Sequence, residues 1–344
     1  MNSLKIKKIY NCVLSQVFST SGQFLFVGNR FGDIFVLDIQ KLEQTNLTNK
    51  PAEDADVDMK TFPQGQGRDI NSLCFHNNFL IIGTIGNFYG LKWHEEQRHL
   101  SSKPHWEVRI PMDADATEVP DVNYMWIRPE TNTLYAGCGD NVVYQISLED
   151  GRVVRDYRGH SDFIHSVSGC GVNTIVSGSE DGTVCLWNEN EKLSTGKIIP
   201  AENTELKRPE FGNWIGAVDA NNDWVICGGG PRCAIWHLRS MNTTGSYSFP
   251  GKVHLCYFVK DKVLIGGEHY QVQFYQWNGN EEASVTVENI ASYTAVWHSN
   301  PYKFMSVAGF SNKLHIVKDF LLDCKIDLYG NVKEEQSTKD EFAF

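Results

Sequence analysis

TIVSGSEDGTVCLW, spanning Thr174–Trp187, sets the reading of the whole chain. Two runs rich in β-branched and large apolar residues flank the turn Ser-Glu-Asp-Gly, the composition of a tight β-hairpin. A single hairpin specifies no fold, so the question is whether it recurs.

It recurs six more times. Upstream are FLFVGNRFGDIFVLDI from Phe24, FLIIGTIGNFYGLKW from Phe79 and TLYAGCGDNVVYQI from Thr133. Downstream are WVICGGGPRCAIWHL from Trp224, VLIGGEHYQVQFYQW from Val263 and FMSVAGFSNKLHIVK from Phe304. One glycine from each copy (Gly28, Gly83, Gly137, Gly178, Gly228, Gly266, Gly309) marks intervals of roughly 38 to 55 residues, matching four-stranded propeller blades with surface insertions. Further β-like runs precede the hairpins, among them DVNYMWIRP, DFIHSVSG, NWIGAVDA, VHLCYFV and YTAVWHS, and are expected to supply each blade's innermost strand. The expected architecture is all-β, a single seven-bladed β-propeller over residues 1–330, with residues 331–344 a disordered polar tail.

Both KIKKIYN (residues 5–11) and FLLDCKIDLY (320–329) have strand character, so either terminus could supply the outer strand that closes the ring. Three inserts are expected as partly mobile surface loops: about Lys41 to Arg68, HEEQRHLSSKP after Trp93, and AENTELKRPEF before Trp214.

Composition limits the function. The 344 residues carry 31 basic against 42 acidic side chains, a formal net charge of -11, which disfavours a direct grip on a phosphate backbone. The nine cysteines show no C-x-x-C and lie mostly in apolar runs, reading as reduced and buried in an intracellular protein. The sequence shows neither a signal-peptide pattern nor a membrane span. His94, His99 and His105 sit in a polar loop without cysteines, and no metal or cofactor is expected.

His160, Ser177, Asp181 and Trp187 could suggest a Ser-His-Asp hydrolase, but no G-x-S-x-G elbow holds the serine. Their spacing matches the internal tetrad of a WD40-type blade, in which indole, serine, histidine and turn aspartate satisfy one another, so the expected role is structural. CGGGP at 227–231 lacks the G-K-[ST] of a phosphate loop and reads as a tight turn. Tyr124, Phe163 and Trp214 open innermost strands near the rim of the central channel, where a ring either packs between blades or meets a partner. Phe163, Trp214 and Arg232 are the interface candidates. The other blades lack clear tetrads and are expected to be held mainly by apolar packing.

RDYRGHSDFIHSV, SGSEDGTVCLW and above all GNWIGAVDANNDWVICGGGPRCAIWHLRS (Gly212 to Ser240) resemble the family of WD-repeat subunits six of the THO complex. The resemblance implies a non-catalytic scaffold in the nucleus, within the transcription-export complex, that couples mRNA synthesis and processing to export. It further implies docking on the coiled-coil THO subunits five and seven, mRNA contact only through other subunits, and no membrane or small-molecule substrate. The alternative is a substrate receptor of a cullin-type ubiquitin ligase, since Trp236 and Arg239 in WHLR look like a W-D-x-R docking box lacking its aspartate. A propeller enzyme would need paired carboxylates at the channel mouth, and Asp33 and Asp181 instead sit in blade turns.

Overall fold

A computed structural model of the chain describes residues 3–46, 59–63, 68–112, 119–171, 173–298, 304–318 and 320–330. Seven antiparallel sheets follow one another along the chain, each with its strands in sequence order from the inside outward. The innermost strands are Val13–Phe18, Ser72–His76, Val122–Arg128, Ile164–Cys170, Ile215–Ala220, Val253–Val259 and Ser292–His298, and each packs against those of the adjacent blades. The result is a seven-bladed β-propeller. Each repeated hairpin forms the middle two strands of a blade.

The middle strands do not alternate between buried and exposed positions. Phe24–Asn29 and Thr133–Cys138 are buried at every position because neighbouring blades cover both faces of each sheet. Trp187, Tyr135, Tyr144, Phe24 and Phe26 lie fully buried between blades, and each such ring adds about 2 to 3 kcal/mol of burial.

Polar bonds also tie consecutive blades together around the channel. Leu73 N–H donates to Ser15 Oγ at 2.8 Å, Met125 N–H to Ser72 Oγ at 2.9 Å and Val218 N–H to Ser166 Oγ at 3.2 Å. Asn123 Nδ2 donates to the Ile164 carbonyl at 2.9 Å, and Phe258 N–H to Asp219 Oδ2 at 2.9 Å. Ser306 Oγ donates to Gln16 Oε1 at 2.5 Å, joining the last blade to the first.

The termini meet at this closure. Residues 5–10 belong to a helix, α1 (Ser3–Tyr10), with Asn11 just beyond it, and not to a strand. The run Lys-Ile-Lys-Lys-Ile fits either period; what favours the helix is that Leu4 reaches the core between the first and last blades while Lys7, one turn on, pairs with Asp33 at 2.6 Å. Leu321–Asp327 supplies the outer strand of the last blade, so among the described residues no blade shares strands between the termini. Closure is instead a side-chain junction. Asn29 Nδ2 donates to Tyr329 Oη at 2.7 Å, and Tyr329 Oη donates to Asp33 Oδ2 at 2.7 Å.

The inserts hold more structure than expected. Within the first, α2 (Ile39–Asn46) precedes Met59–Pro63, the outer strand of the first blade. In the second, His99–Leu100 pairs back on Trp93 and His94, so the outer edge of the second blade is shared with Trp106–Arg109. The third folds into two 3-10 turns, Pro200–Glu202 and Pro209–Phe211, anchored by a buried arginine. The tail at 331–344 lies outside the described residues.

Candidate functional site

Strand order fixes which parts of the chain share a face. The innermost strand of each blade begins on the same side as the turn between its second and third strands and the connection from the preceding blade. This side is here called the upper face.

In the fourth blade the tetrad residues come together. Trp187 Nε1 donates to Ser177 Oγ at 2.8 Å, Ser177 Oγ lies 2.8 Å from His160 Nε2, and His160 Nδ1 lies 2.9 Å from Asp181 Oδ2. Burial lowers the His160 pKa against the pull of Asp181, which keeps the ring neutral. Neutral imidazole then donates from Nδ1 to the carboxylate and accepts the serine hydroxyl proton on Nε2. Burial pushes Asp181 upward, but donors from Thr183, the Ser161 N–H and His160 outweigh it and leave its pKa lowered. The serine hydroxyl is buried and spent on two internal bonds, which leaves no open face for a substrate.

Other blades use different side chains for the same purpose. In the fifth, the aligned position is Cys227, and Arg208 reaches in from the preceding connection. Its guanidinium donates to five carbonyls: Gly230 at 2.8 Å, Phe249 and Gly251 at 2.9 Å, Gly229 and Pro231 at 3.2 Å. The glycine run thus presents carbonyls to a cation, the opposite polarity to a phosphate loop. It must be glycine, because a Cβ at Gly230 would stand 2.2 Å from the Gly212 carbonyl oxygen. In the seventh blade, buried His315 Nε2 accepts the Glu288 N–H at 2.8 Å. Apolar clusters fill every junction between blades, as expected, and the first, fifth and seventh blades each add a polar lock of their own.

The channel is a cavity of about 760 Å³. Second residues of the innermost strands ring its upper mouth, among them Asn123, His165, His254 and Tyr293, with Asn71 just ahead of Ser72–His76. Trp214 lies over Gly216, where a Cβ would stand 2.3 Å from the indole, and its Nε1 donates to the Phe211 carbonyl at 3.0 Å. Tyr124 lies deeper in the channel and faces Tyr257. Phe163 stays outside the channel wall and is 48% exposed on the upper face. Arg232 sits in the turn of the fifth blade, where its N–H donates to the Leu206 carbonyl at 2.8 Å. The three interface candidates thus share the upper face without forming one cluster.

Sequence reasoning missed a broader pattern on that face. Ile9, Tyr10, Ile85, Met112, Val119, Phe163, Tyr270 and Ile290 are exposed there, whereas Val154, Leu193 and Leu321 are the exposed large apolar residues elsewhere among the described residues. Ile9 and Tyr10 end α1 and the others sit in turns or connections, so the pattern was readable only once strand order was known. Most of the exposed large apolar side chains among the described residues therefore lie on one face.

Comparison with known proteins agrees with this architecture. The chain is 54% identical over 342 residues to "THO complex subunit 6" of Drosophila melanogaster, covering 99% of this chain and 96% of that protein. It is 27% identical over 332 residues to "THO complex subunit 6" of Homo sapiens, covering 95% and 92%. The family model "DDB1- and CUL4-associated factor 12 beta propeller" matches residues 97–244, less than half of the chain. Among solved structures, the "WD40 beta propeller domain of Doa1" superposes with a TM-score of 0.69 at 13% identity, covering 90% of this chain and 93% of that one, a likeness of fold.

Proposed function

Because the chain belongs to the THO complex subunit 6 family, we propose that it is a non-catalytic scaffold subunit of a nuclear THO complex, coupling mRNA synthesis and processing to export by holding other THO subunits. The observation that carries this reading is identity of 54% along nearly the entire length of a THO subunit. The upper face supplies the contact surface: its exposed apolar side chains would meet partner subunits, the coiled-coil subunits five and seven foremost. RNA is left to other subunits, consistent with the net charge of -11.

A second reading is favoured by the partial match to a DDB1- and CUL4-associated propeller. Arg239 of the WHLR segment is largely exposed, 4.0 Å from Asp223, and is available for such a contact. One purification separates the two. Tagged protein is recovered from nuclear extract with and without RNase, and its partners are identified by mass spectrometry. Recovery of THO subunits despite RNase is the expected result; their absence beside an abundant cullin adaptor would replace the scaffold reading with the ligase one.

A further inference from the structure

An apolar patch bridges the ring closure on the upper face. Asn11 Nδ2, just past the end of α1, donates to the Ser311 carbonyl at 2.7 Å, and Ile290 N–H donates to the Phe310 carbonyl at 3.4 Å. The turn of the seventh blade thus brings the end of α1 and the connection holding Ile290 to its two sides. Ile9, Tyr10 and Ile290 are 52%, 53% and 74% exposed there. The outer strand Leu321–Asp327 rises to the same turn, where Leu328 N–H donates to the Asn312 carbonyl at 3.0 Å. Gly330 follows, so residues 331–344 begin beside the patch.

α1 adds charge to this patch. Leu4 and Lys7 turn inward, to the core and to Asp33. Lys5, Lys8 and Ile9 stand at i, i+3 and i+4 and so share another face of the helix. Among the described residues neither Lys5 nor Lys8 has an ion-pair partner. A cover that suits the patch therefore sets large apolar groups next to carboxylates.

The chain carries that composition itself. NVKEEQSTKDEFAF, residues 331–344, places Asp340 and Glu341 directly before Phe342 and Phe344. At roughly 3.3 Å per extended residue, the chain between Gly330 and Phe342 can span on the order of 40 Å. A tether of this length holds the segment at an effective concentration on the order of millimolar. Even a weak contact is then filled from within the chain, ahead of a second copy in dilute solution.

We propose that residues 340–344 fold back onto this patch, with Phe342 and Phe344 covering Ile9, Tyr10 and Ile290 while Asp340 and Glu341 meet Lys5 and Lys8. Residues 331–339 serve as the tether. The strap closes the apolar surface of the first and seventh blades and leaves that of the second to fourth blades open to partners. It concerns contacts within one chain and so stands apart from the THO reading.

The test uses the full chain, mixed dilute in equal parts with nitrogen-15-labelled chain and treated with a water-soluble carbodiimide, which joins an amine to a carboxylate in contact with it. After proteolysis, mass spectrometry should find Lys5 or Lys8 linked to Asp340 or Glu341, each linked peptide wholly light or wholly heavy. The doubly substituted Phe342→Ser, Phe344→Ser chain keeps every reactive group, and its yield of these links should be about fivefold or more lower. Absence of the links overturns the strap, and so does a yield that ignores the serine substitutions, which would reflect the tether alone. Linked peptides that pair light with heavy would give the patch to a second copy instead.

Discussion

Arg208 Nε donates to the Gly230 carbonyl at 2.8 Å, and this bond explains why a polar insert and a glycine run lie together. The guanidinium is buried with no carboxylate among its hydrogen-bond partners; five carbonyls disperse its charge. Burial and the nearby Arg232 lower its pKa, so the carbonyl cradle stabilises a charge that its surroundings disfavour.

Replacing Arg208 should therefore be costly even where charge is kept. Arg208→Lys supplies three donors from one point and cannot serve five carbonyls spread over two turns. A loss of about 3 kcal/mol is expected, and more for Arg208→Ala. Urea unfolding measures it; an Arg208→Lys midpoint equal to the parent's would show that the cradle contributes little.

The fourth blade offers a parallel case. His160→Ala leaves Ser177 and Asp181 short of a partner inside a packed blade, and a loss of about 2 to 4 kcal/mol is expected. Ser177→Ala strands both the Trp187 indole N–H and His160 Nε2, and a loss of similar size is expected. Unchanged thermal unfolding of His160→Ala would remove the structural reading of this group.

Much of this architecture was legible in the sequence, because a hairpin repeated seven times with turn chemistry at each apex allows few folds. What escaped depended on tertiary partners. KIKKIYN at residues 5–11 reads as strand, and the helix there is explained only when Asp33 is placed beside Lys7. Arg208 looked like an ordinary surface charge, and only the glycine run downstream hinted at bare carbonyls needing a donor. Ser15, Ser72 and Ser166 occupy matching places in their strands, a signal present in the sequence that gains meaning only when blades are set side by side. The mouth residues His254 and Tyr293 escaped for the same reason.

Ring closure should depend on one hydroxyl. Tyr329→Phe keeps the buried ring and removes both the bond to Asp33 and the acceptor for Asn29. A loss of about 1 to 3 kcal/mol is expected. Hydrogen exchange should quicken first in Val13–Phe18 and Leu321–Asp327, the strands flanking the junction. Protection unchanged in those two strands would mean that the remaining contacts, apolar packing and the Ser306–Gln16 bond among them, close the ring without this hydroxyl.

Acid should weaken the seventh blade through His315. Its Nε2 accepts the Glu288 N–H and so must be unprotonated, and burial lowers its pKa to about 4. The unfolded chain titrates near the ordinary value of about 6.5, so between these values the unfolded state holds more protons than the folded one. Stability contributed by this group is therefore full above the ordinary value and lost as pH falls toward about 4, amounting to about 2 kcal/mol by pH 5. Glu288 titrates in a lower window: hydrogen bonds from Lys313 and Lys325 hold its pKa at about 2, so its contribution is full above the usual carboxylate range and is lost progressively as pH falls through that range toward about 2. His315→Gln can still accept the Glu288 N–H yet does not titrate. Unfolding midpoints taken at pH 7 and pH 5 should fall further for the parent than for His315→Gln, and equal falls would assign the acid sensitivity to other buried histidines such as His160 and His254.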